Sequence, residues 1–290
     1  MPSDTLSRIY EEEVFREGSP AHQALEDKFG FSYRTLLGEL MYAYVTARPD
    51  ISYAVTTLSK FSSAPGSYHF HLLRGIANYL KATINWGIRF KRPRFLQEPY
   101  PGAFNIILHH ELPEESALTK SFGINIDTPK LIGFVDAAHA NELIKRRSTT
   151  GLVYTFMGGA VVYQSKTQSI TAGSSTEAEF IAAHSAGKIA RYLRRILSQI
   201  GFEQSGPTPI FIDNEPALKI INDNSSPTER VRHMDICYFQ IQDWAHRDIV
   251  MVHIPGTLNP SDDATKPLGS ILHCHYCRRI MGHYNTKKYG

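Results

Sequence analysis

The chain has 290 residues, 42% hydrophobic and 20% charged, a composition typical of globular proteins and enough for two domains. A formal net charge of only +3 excludes a uniformly basic nucleic-acid binder, so any basic surface has to be local. Three cysteines, Cys237, Cys274 and Cys277, exclude a disulfide framework and fit a reducing compartment. Met1 to Phe15 is polar and acidic with no apolar signal region, and no stretch is long and apolar enough to span a bilayer. An intracellular protein with no membrane partner is expected.

Residues up to about Phe29 read as a loose leader with one short charged helix, Arg8 to Glu17. Leu36, Leu37, Leu40, Met41 and Tyr44 then share a helical face. Pro49 opens a second helix with Ile51, Ala54, Val55, Leu58 and Phe61 at helical spacing. After the Pro65-Gly66 break, Leu72, Leu73, Ile76, Tyr79 and Leu80 mark a third. Residues 1–90 are thus read as a small helical unit. Five prolines scattered from Pro93 to Pro129 make 91–129 an irregular linker, with a short strand at Phe104 to Leu108.

The second half changes character. Leu131 to Val135 is an apolar run that ends at Asp136 and reads as a buried strand. Gly151 to Phe156 and Ala160 to Ser165 are two more, joined through Gly158-Gly159. A helix runs from Ser175 to about Ile200, N-capped by Ser175 or Thr176 and stopped by Gly201. Pro209 to Ile212 is a strand ending at Asp213, Glu215 to Ile221 a short helix, Met234 to His246 another helix, and Ile249 to Ile254 the last strand. Pro260 to Thr265 begins a final short helix. Residues 269–290 read as a basic tail. Cys274 and Cys277 within it lack a second spaced pair with which to form a zinc site.

Acidic residues give this pattern its chemistry. Glu177 and Glu179 open the long helix, where a carboxylate also suits the positive helix end. Strand-end acids frame them, Asp136 before and Asp213 after, and Asp262 follows near the C-terminus. A helix acid framed by strand-end acids is one way to build a site for divalent cations acting on phosphate.

Six segments occur in one order: Gly133-Phe134-Val135-Asp136-Ala137, Arg146-Arg147-Ser148-Thr149-Thr150-Gly151, Ser174-Ser175-Thr176-Glu177-Ala178-Glu179-Phe180, Ile212-Asp213-Asn214, Arg232-His233-Met234-Asp235-Ile236 and Asp262-Asp263-Ala264-Thr265-Lys266-Pro267-Leu268. Together they resemble the ribonuclease H domain of copia-type LTR retrotransposon Pol polyproteins. Upstream, Tyr33 to Gly38 and Thr46 to Ile51 resemble the C-terminal end of the reverse transcriptase. No Tyr-x-Asp-Asp polymerase motif is present. The resemblance implies an α/β fold: a ribonuclease H-like mixed five-stranded sheet with helices on both faces, at 130–268, preceded by the small helical domain.

It further implies the site. Asp136, Glu179, Asp213 and Asp262 match the family's four acids, which serve as both catalytic and metal-binding residues. Glu179 is preferred over Glu177 because an apolar pair and an alanine follow it; Asp263 is the neighbour of the fourth acid. The implied cofactor is two Mg²⁺ ions ~4 Å apart, with Mn²⁺ as the alternative. The implied reaction is hydrolysis of the RNA strand of an RNA·DNA hybrid, leaving a 5′-phosphate and a 3′-hydroxyl. The implied partners are that hybrid and the remainder of Pol, in the cytoplasm, retrotransposon particles or the nucleus. Arg146, Arg147, Arg230 and Arg232 are candidate phosphate contacts. Asn214 either reads a 2′-hydroxyl or caps the helix it precedes. His233 is either structural or near substrate, whereas His253 and the Arg191, Arg194 and Arg195 face read as structural or solvated. Ala138 and His139 depart from the family's usual Asp and aromatic, and Ser261 from its usual Ala. They keep a second function in view, a weakly active or inactive nucleic-acid-binding remnant of Pol.

Overall fold

The structure, a computed structural model, describes residues 3–90, 129–222, 235–245 and 247–282. The 91–128 part of the linker, Arg230, Arg232 and His233 lie outside them.

The first ninety residues are more ordered than a loose leader and three helices. Five helices form: α1 (Ser3–Glu11), α2 (Pro20–Phe29), α3 (Tyr33–Thr46), α4 (Ser52–Ser59) and α5 (Ser67–Ala82). The charged helix was expected at Arg8 to Glu17, but α1 starts at Ser3 and ends at Glu11. The reason is packing at both ends of this stretch. Ile9 is fully buried and its carbonyl faces His69 Nε2 at 2.8 Å. Ser19 caps α2 by accepting from the His22 N–H, and Gly30 ends it at φ 74°. Phe29, Tyr33, Leu37, Val55, Leu58, Phe70 and Leu73 share one core, with Phe70 touching the rings of Phe29, Phe31 and Tyr33.

The second half is a five-stranded sheet in the order β3-β2-β1-β4-β5: β1 Ile132–Ala138, β2 Thr149–Phe156, β3 Gly159–Thr167, β4 Thr208–Ile212 and β5 Ile249–His253. β1, β2 and β3 pair antiparallel, and β4 and β5 add in parallel on the other side of β1. The hairpin between β2 and β3 turns at Met157-Gly158, both at positive φ, one residue before the expected glycine pair.

Side-chain alternation sorts β1 onto two faces. Val135 and Ala137 face α6 (Ser175–Gln199), whose buried side is small: Ala178, Ala182, Ala183, Ala186, Gly187 and Ala190. Small residues let the helix lie close, and a Cβ on Gly187 would press the Trp244 ring at 3.0 Å. Tyr154 fills the space over Gly133 and donates to the Ala186 carbonyl at 2.6 Å. Ser174, one residue before the expected positions, caps α6 by accepting from the Glu177 N–H. α7 (Glu215–Asn222) and α8 (Asp235–Trp244) complete this side.

On the opposite face Ile132, Phe134, Val153 and Phe211 pack against Tyr276 and Ile280. Those two belong to α9 (Ser270–Ile280), inside the segment read as a basic tail. The tail reading is corrected accordingly: among the described residues, α9 is the helix that gives this face its cover. Its apolar residues Tyr276, Cys277 and Ile280 follow helical spacing and outweigh the basic character of Arg278 and Arg279. Helices therefore lie on both faces of the sheet.

The helical unit docks on β3. Tyr163 donates to the Val45 carbonyl at 3.2 Å, the Ser165 N–H to the Tyr44 hydroxyl at 3.3 Å, and Thr56 to the Ser165 hydroxyl at 3.1 Å. β3 is an edge strand, and this contact covers an edge that would otherwise template association.

Candidate metal and nuclease site

Asp136 sits in β1 and Asp213 follows the last residue of β4. The strands are parallel neighbours with Phe134 opposite Phe211, so two residues further on both carboxylates reach the same end and face of the sheet. Asp262 comes from a 3-10 turn, Pro260–Ala264, laid under this end. One oxygen from each of the three aspartates lies within 4.8 Å of the others. Glu179, in the first turns of α6, approaches from the helix side, where its Oε1 accepts from the Ala137 N–H at 3.2 Å. Asp136, Glu179 and Asp262 are buried and Asp213 is half-buried.

Glu177 is placed elsewhere. Its carboxylate accepts from the Gly173 N–H at 2.7 Å, closing the start of α6. Of the two acids, Glu179 is the one beside Asp136.

Four carboxyl groups in one pocket repel one another. Burial first, then the Asp136 and Asp213 charges, push the Glu179 carboxyl up to about 10. Burial and Asp136 push Asp262 up to about 7, against the pull of Lys266. Asp213 is raised by burial and by Asp136. Glu179 Oε2 and Asp262 Oδ1 are buried without a hydrogen-bond partner. Crowded carboxylates with free inward lone pairs are the donor set of a hard divalent cation, so the residues fit one.

Three supporting groups escaped the sequence reading. The Thr265 hydroxyl donates to Asp136 Oδ2. Lys266 Nζ lies 2.9 Å from Asp262 Oδ2 and is the cation inside the cluster. Asn259 donates from Nδ2 to the Val135 carbonyl at 2.9 Å and accepts from the Ser261 N–H and hydroxyl, which ties the Pro260–Ala264 turn to β1. The spacing of Asp262 and Lys266, four apart, was the available signal for one of them. Ser261, a departure from the family pattern, is thereby a buried structural hydroxyl. Asp263 points away from the acids, and its Oδ1 lies 2.6 Å from His273 Nδ1.

Arg146 is exposed at φ 52° and Arg147 is half-buried, both in the turn between β1 and β2. Asn214 Oδ1 accepts from the Ala217 N–H at 2.9 Å, so the helix-cap role is formed. His253 is half-exposed in β5. Arg194 is more than a solvated side chain: it donates to the Gly206 and Gln204 carbonyls and to the Thr208 hydroxyl. Arg191 pairs with Asp248 at 2.7 Å and lies over the Trp244 ring.

A 3-2-1-4-5 mixed sheet with acids at the ends of its first and fourth strands defines a ribonuclease H-like domain. No family model matches the chain. It is 32% identical over 235 residues, 81% of its length, to the retrovirus-related Pol polyprotein from transposon TNT 1-94 of Nicotiana tabacum. It is also 32% identical over 161 residues to secreted RxLR effector protein 161 of Plasmopara viticola, spanning 56% of this chain and 90% of that one. Among solved structures, ribonuclease H1 of Halobacterium salinarum NRC-1 aligns with 47% of this chain and 93% of its own, at 17% identity and a TM-score of 0.34. Its homologues include copia-type retrovirus-related Pol polyproteins from plant transposons, at 26–32% identity. It spans about 15% of the length of the tobacco polyprotein.

Proposed function

We propose that this chain is a metal-dependent ribonuclease H that hydrolyses the RNA strand of RNA·DNA hybrids during retrotransposon reverse transcription. The observation that carries this reading is the convergence of Asp136, Asp213 and Asp262 within 4.8 Å, with Glu179 beside them. Asp136, Glu179, Asp213 and Asp262 would hold two Mg²⁺ or Mn²⁺ ions. When bound, such ions supply an activated water and neutralise charge on the leaving oxygen.

The chain's own residues hold and orient. Thr265 fixes Asp136 through Oδ2. The Ala137 N–H fixes Glu179 in the same way. Lys266 pairs with Asp262 and offsets part of the negative charge that the cluster presents to cations. Water attacks phosphorus, the bond to the 3′-oxygen breaks, and that oxygen takes up a proton. The products are a 5′-phosphate and a 3′-hydroxyl. Arg146 and Arg147, in the turn after β1, are proposed phosphate contacts, with Arg230 and Arg232. Asn214, already engaged as a helix cap, keeps its amide N–H₂ for a 2′-hydroxyl.

The test is cleavage of a hybrid labelled on its RNA strand, by wild type and Asp136→Asn, with Mg²⁺ or Mn²⁺ at one fixed salt concentration. Wild type cuts the RNA strand and spares duplex DNA. Asp136→Asn keeps the shape and loses the charge, so cleavage is abolished while hybrid binding, carried by phosphate contacts, persists. Full activity in Asp136→Asn refutes the assignment. A folded wild type that binds without cutting supports the remnant reading.

A further inference from the structure

Outside the acid cluster, a second group of ligand-type side chains meets where the Pro260–Ala264 turn, α9 and the helical unit converge. His273 and Cys277 stand four residues apart on α9, so they share one face. Asp263 faces them from the turn. His273 Nδ1 lies 2.6 Å from Asp263 Oδ1 and 3.7 Å from Cys277 Sγ. One ligand atom from each of the three lies within 4.8 Å of the others.

The spacing suits one ion. Zinc bonds of ~2.3 Å to sulfur and ~2.1 Å to nitrogen, at a tetrahedral angle, hold those atoms about 3.6 Å apart. The oxygen–nitrogen distance is shorter than such a site needs, as it must be while the two groups share a proton. An independent observation points the same way. The Asp263 side chain is 4% exposed, and its Oδ2 is buried with no hydrogen-bond partner. A buried carboxylate oxygen without a donor is costly unless something positive meets it. Arg48 is committed to Asp50, from Nη2 to Oδ2 at 2.7 Å, and Tyr79 donates to that same oxygen at 2.8 Å.

We propose that Asp263, His273 and Cys277 form a second cation site, of zinc type, that staples α9 to the turn carrying Asp262. A fourth position is left for water. The ligand chemistry separates it from the acid cluster: thiolate and imidazole favour Zn²⁺, whereas an all-carboxylate set favours Mg²⁺. On binding, Cys277 gives up its thiol proton and the proton between His273 and Asp263 leaves as well, so affinity rises with pH. Burial raises the Cys277 thiol well above its ordinary value, so without an ion it stays protonated. The staple ties the cover of one sheet face to the turn that presents Asp262.

The experiment uses the full chain, stripped of metal with a chelator and titrated with Co²⁺ alone. The expected result is a thiolate-to-cobalt charge-transfer band that saturates at one equivalent and is bleached by Zn²⁺. Cys277→Ser loses the band, Cys274→Ser keeps it, and Asp136→Asn keeps it, which separates this site from the nuclease site. Asp263→Asn weakens cobalt binding at least about tenfold, the loss that even an outer-shell partner causes at zinc sites. Circular dichroism confirms that each variant is folded; His273→Gln serves where Cys277→Ser is not. A folded wild type with no thiolate band at saturating Co²⁺ overturns the proposal, leaving a buried ion pair. A band lost in Cys274→Ser but kept in Cys277→Ser overturns it too.

Discussion

Gly151 offers the sharpest test of how the acid site is assembled. It pairs with Asp136 across β1 and β2. It is not among the glycines at positive φ, so alanine there tests space rather than backbone conformation. A Cβ would stand 2.5 Å from Thr265 Cγ2, 2.6 Å from the Ser261 carbonyl oxygen and 3.0 Å from Ala264 Cβ. Ordinary contact begins at 3.4 Å, so the Pro260–Ala264 turn must retreat by about 0.8 Å from the Ser261 oxygen alone (3.4 − 2.6). That oxygen is backbone and cannot rotate away. Overpacking of this kind costs about 1–3 kcal/mol. At about 2–4 °C per kcal/mol for a domain of this size, Gly151→Ala should melt roughly 2–12 °C below wild type. The retreat also carries Asp262 away from Asp136 and pulls on the Thr265 hydroxyl. A misplacement near 1 Å costs about a hundredfold in rate. The assay is thermal melting beside single-turnover hybrid cleavage, with hybrid affinity as the control for an intact binding surface. A variant with wild-type melting and wild-type cleavage would refute the close packing of this turn on β2 and the site built from it.

Other expectations follow from the same cluster. Glu179 and Asp262 are raised by burial and by neighbouring charge, to about 10 and about 7, above their ordinary values. A raised acid stabilises the fold below its unfolded pKa and ceases to as pH climbs through the folded one. In chelator, melting temperature should therefore fall as pH rises from the ordinary carboxylate range through about 7, and Mn²⁺ should reduce the fall; a melting temperature flat in pH counts against the crowding. Lys266→Met removes the cation beside Asp262, so the Asp262 carboxyl rises further and the acidic limb of the cleavage profile moves to higher pH; an unmoved limb means Lys266 does not act on Asp262. Tyr154→Phe loses the hydroxyl bonded to the Ala186 carbonyl and should cost about 0.5–1.5 kcal/mol in denaturant unfolding, with cleavage retained.

The sequence carried the sheet because each strand has a local signature. Apolar runs at 131–135, 151–156, 160–165, 209–212 and 249–254 are short, bounded by turns, and too apolar to be solvated, and all five form. Their order came from the motif resemblance, since nothing local says that β4 lies beside β1. The first acids were legible for the same reason: Asp136 and Asp213 end apolar strands, where a charged residue stands out. Asn259, Thr265 and Lys266 were not, because a cap, a hydroxyl and a lysine on a turn look ordinary until distant chain is folded against them. α9 was misread as tail because its two arginines and its four histidine or cysteine positions mask an apolar stripe of only three residues, Tyr276, Cys277 and Ile280. The α1 and α2 region was misread because its buried residues are few and its contacts are with α5, over fifty residues away in the case of Ile9 and His69.

The placement of the acids explains why their scaffold is so heavily tied. Four carboxyl groups drawn together without cations oppose folding, as the raised Glu179, Asp213 and Asp262 attest. Something else must hold them at that distance. Asp136 and the residue before Asp213 are locked by strand pairing, whose register neither can leave without dragging Phe134 or Phe211 out of the core. Glu179 is locked by α6, the longest helix among those described, whose small buried residues share the core with β1. Asp262 alone rides on a short 3-10 turn, an element with little intrinsic stability. Asn259, Thr265, Lys266 and the Asp263–His273 pair are all contacts of that turn. The polar contacts that look redundant therefore concentrate on the one ligand that the sheet and the long helix do not fix. By this logic, loosening α9 should impair the Asp262 position before it disturbs Asp136 or Asp213.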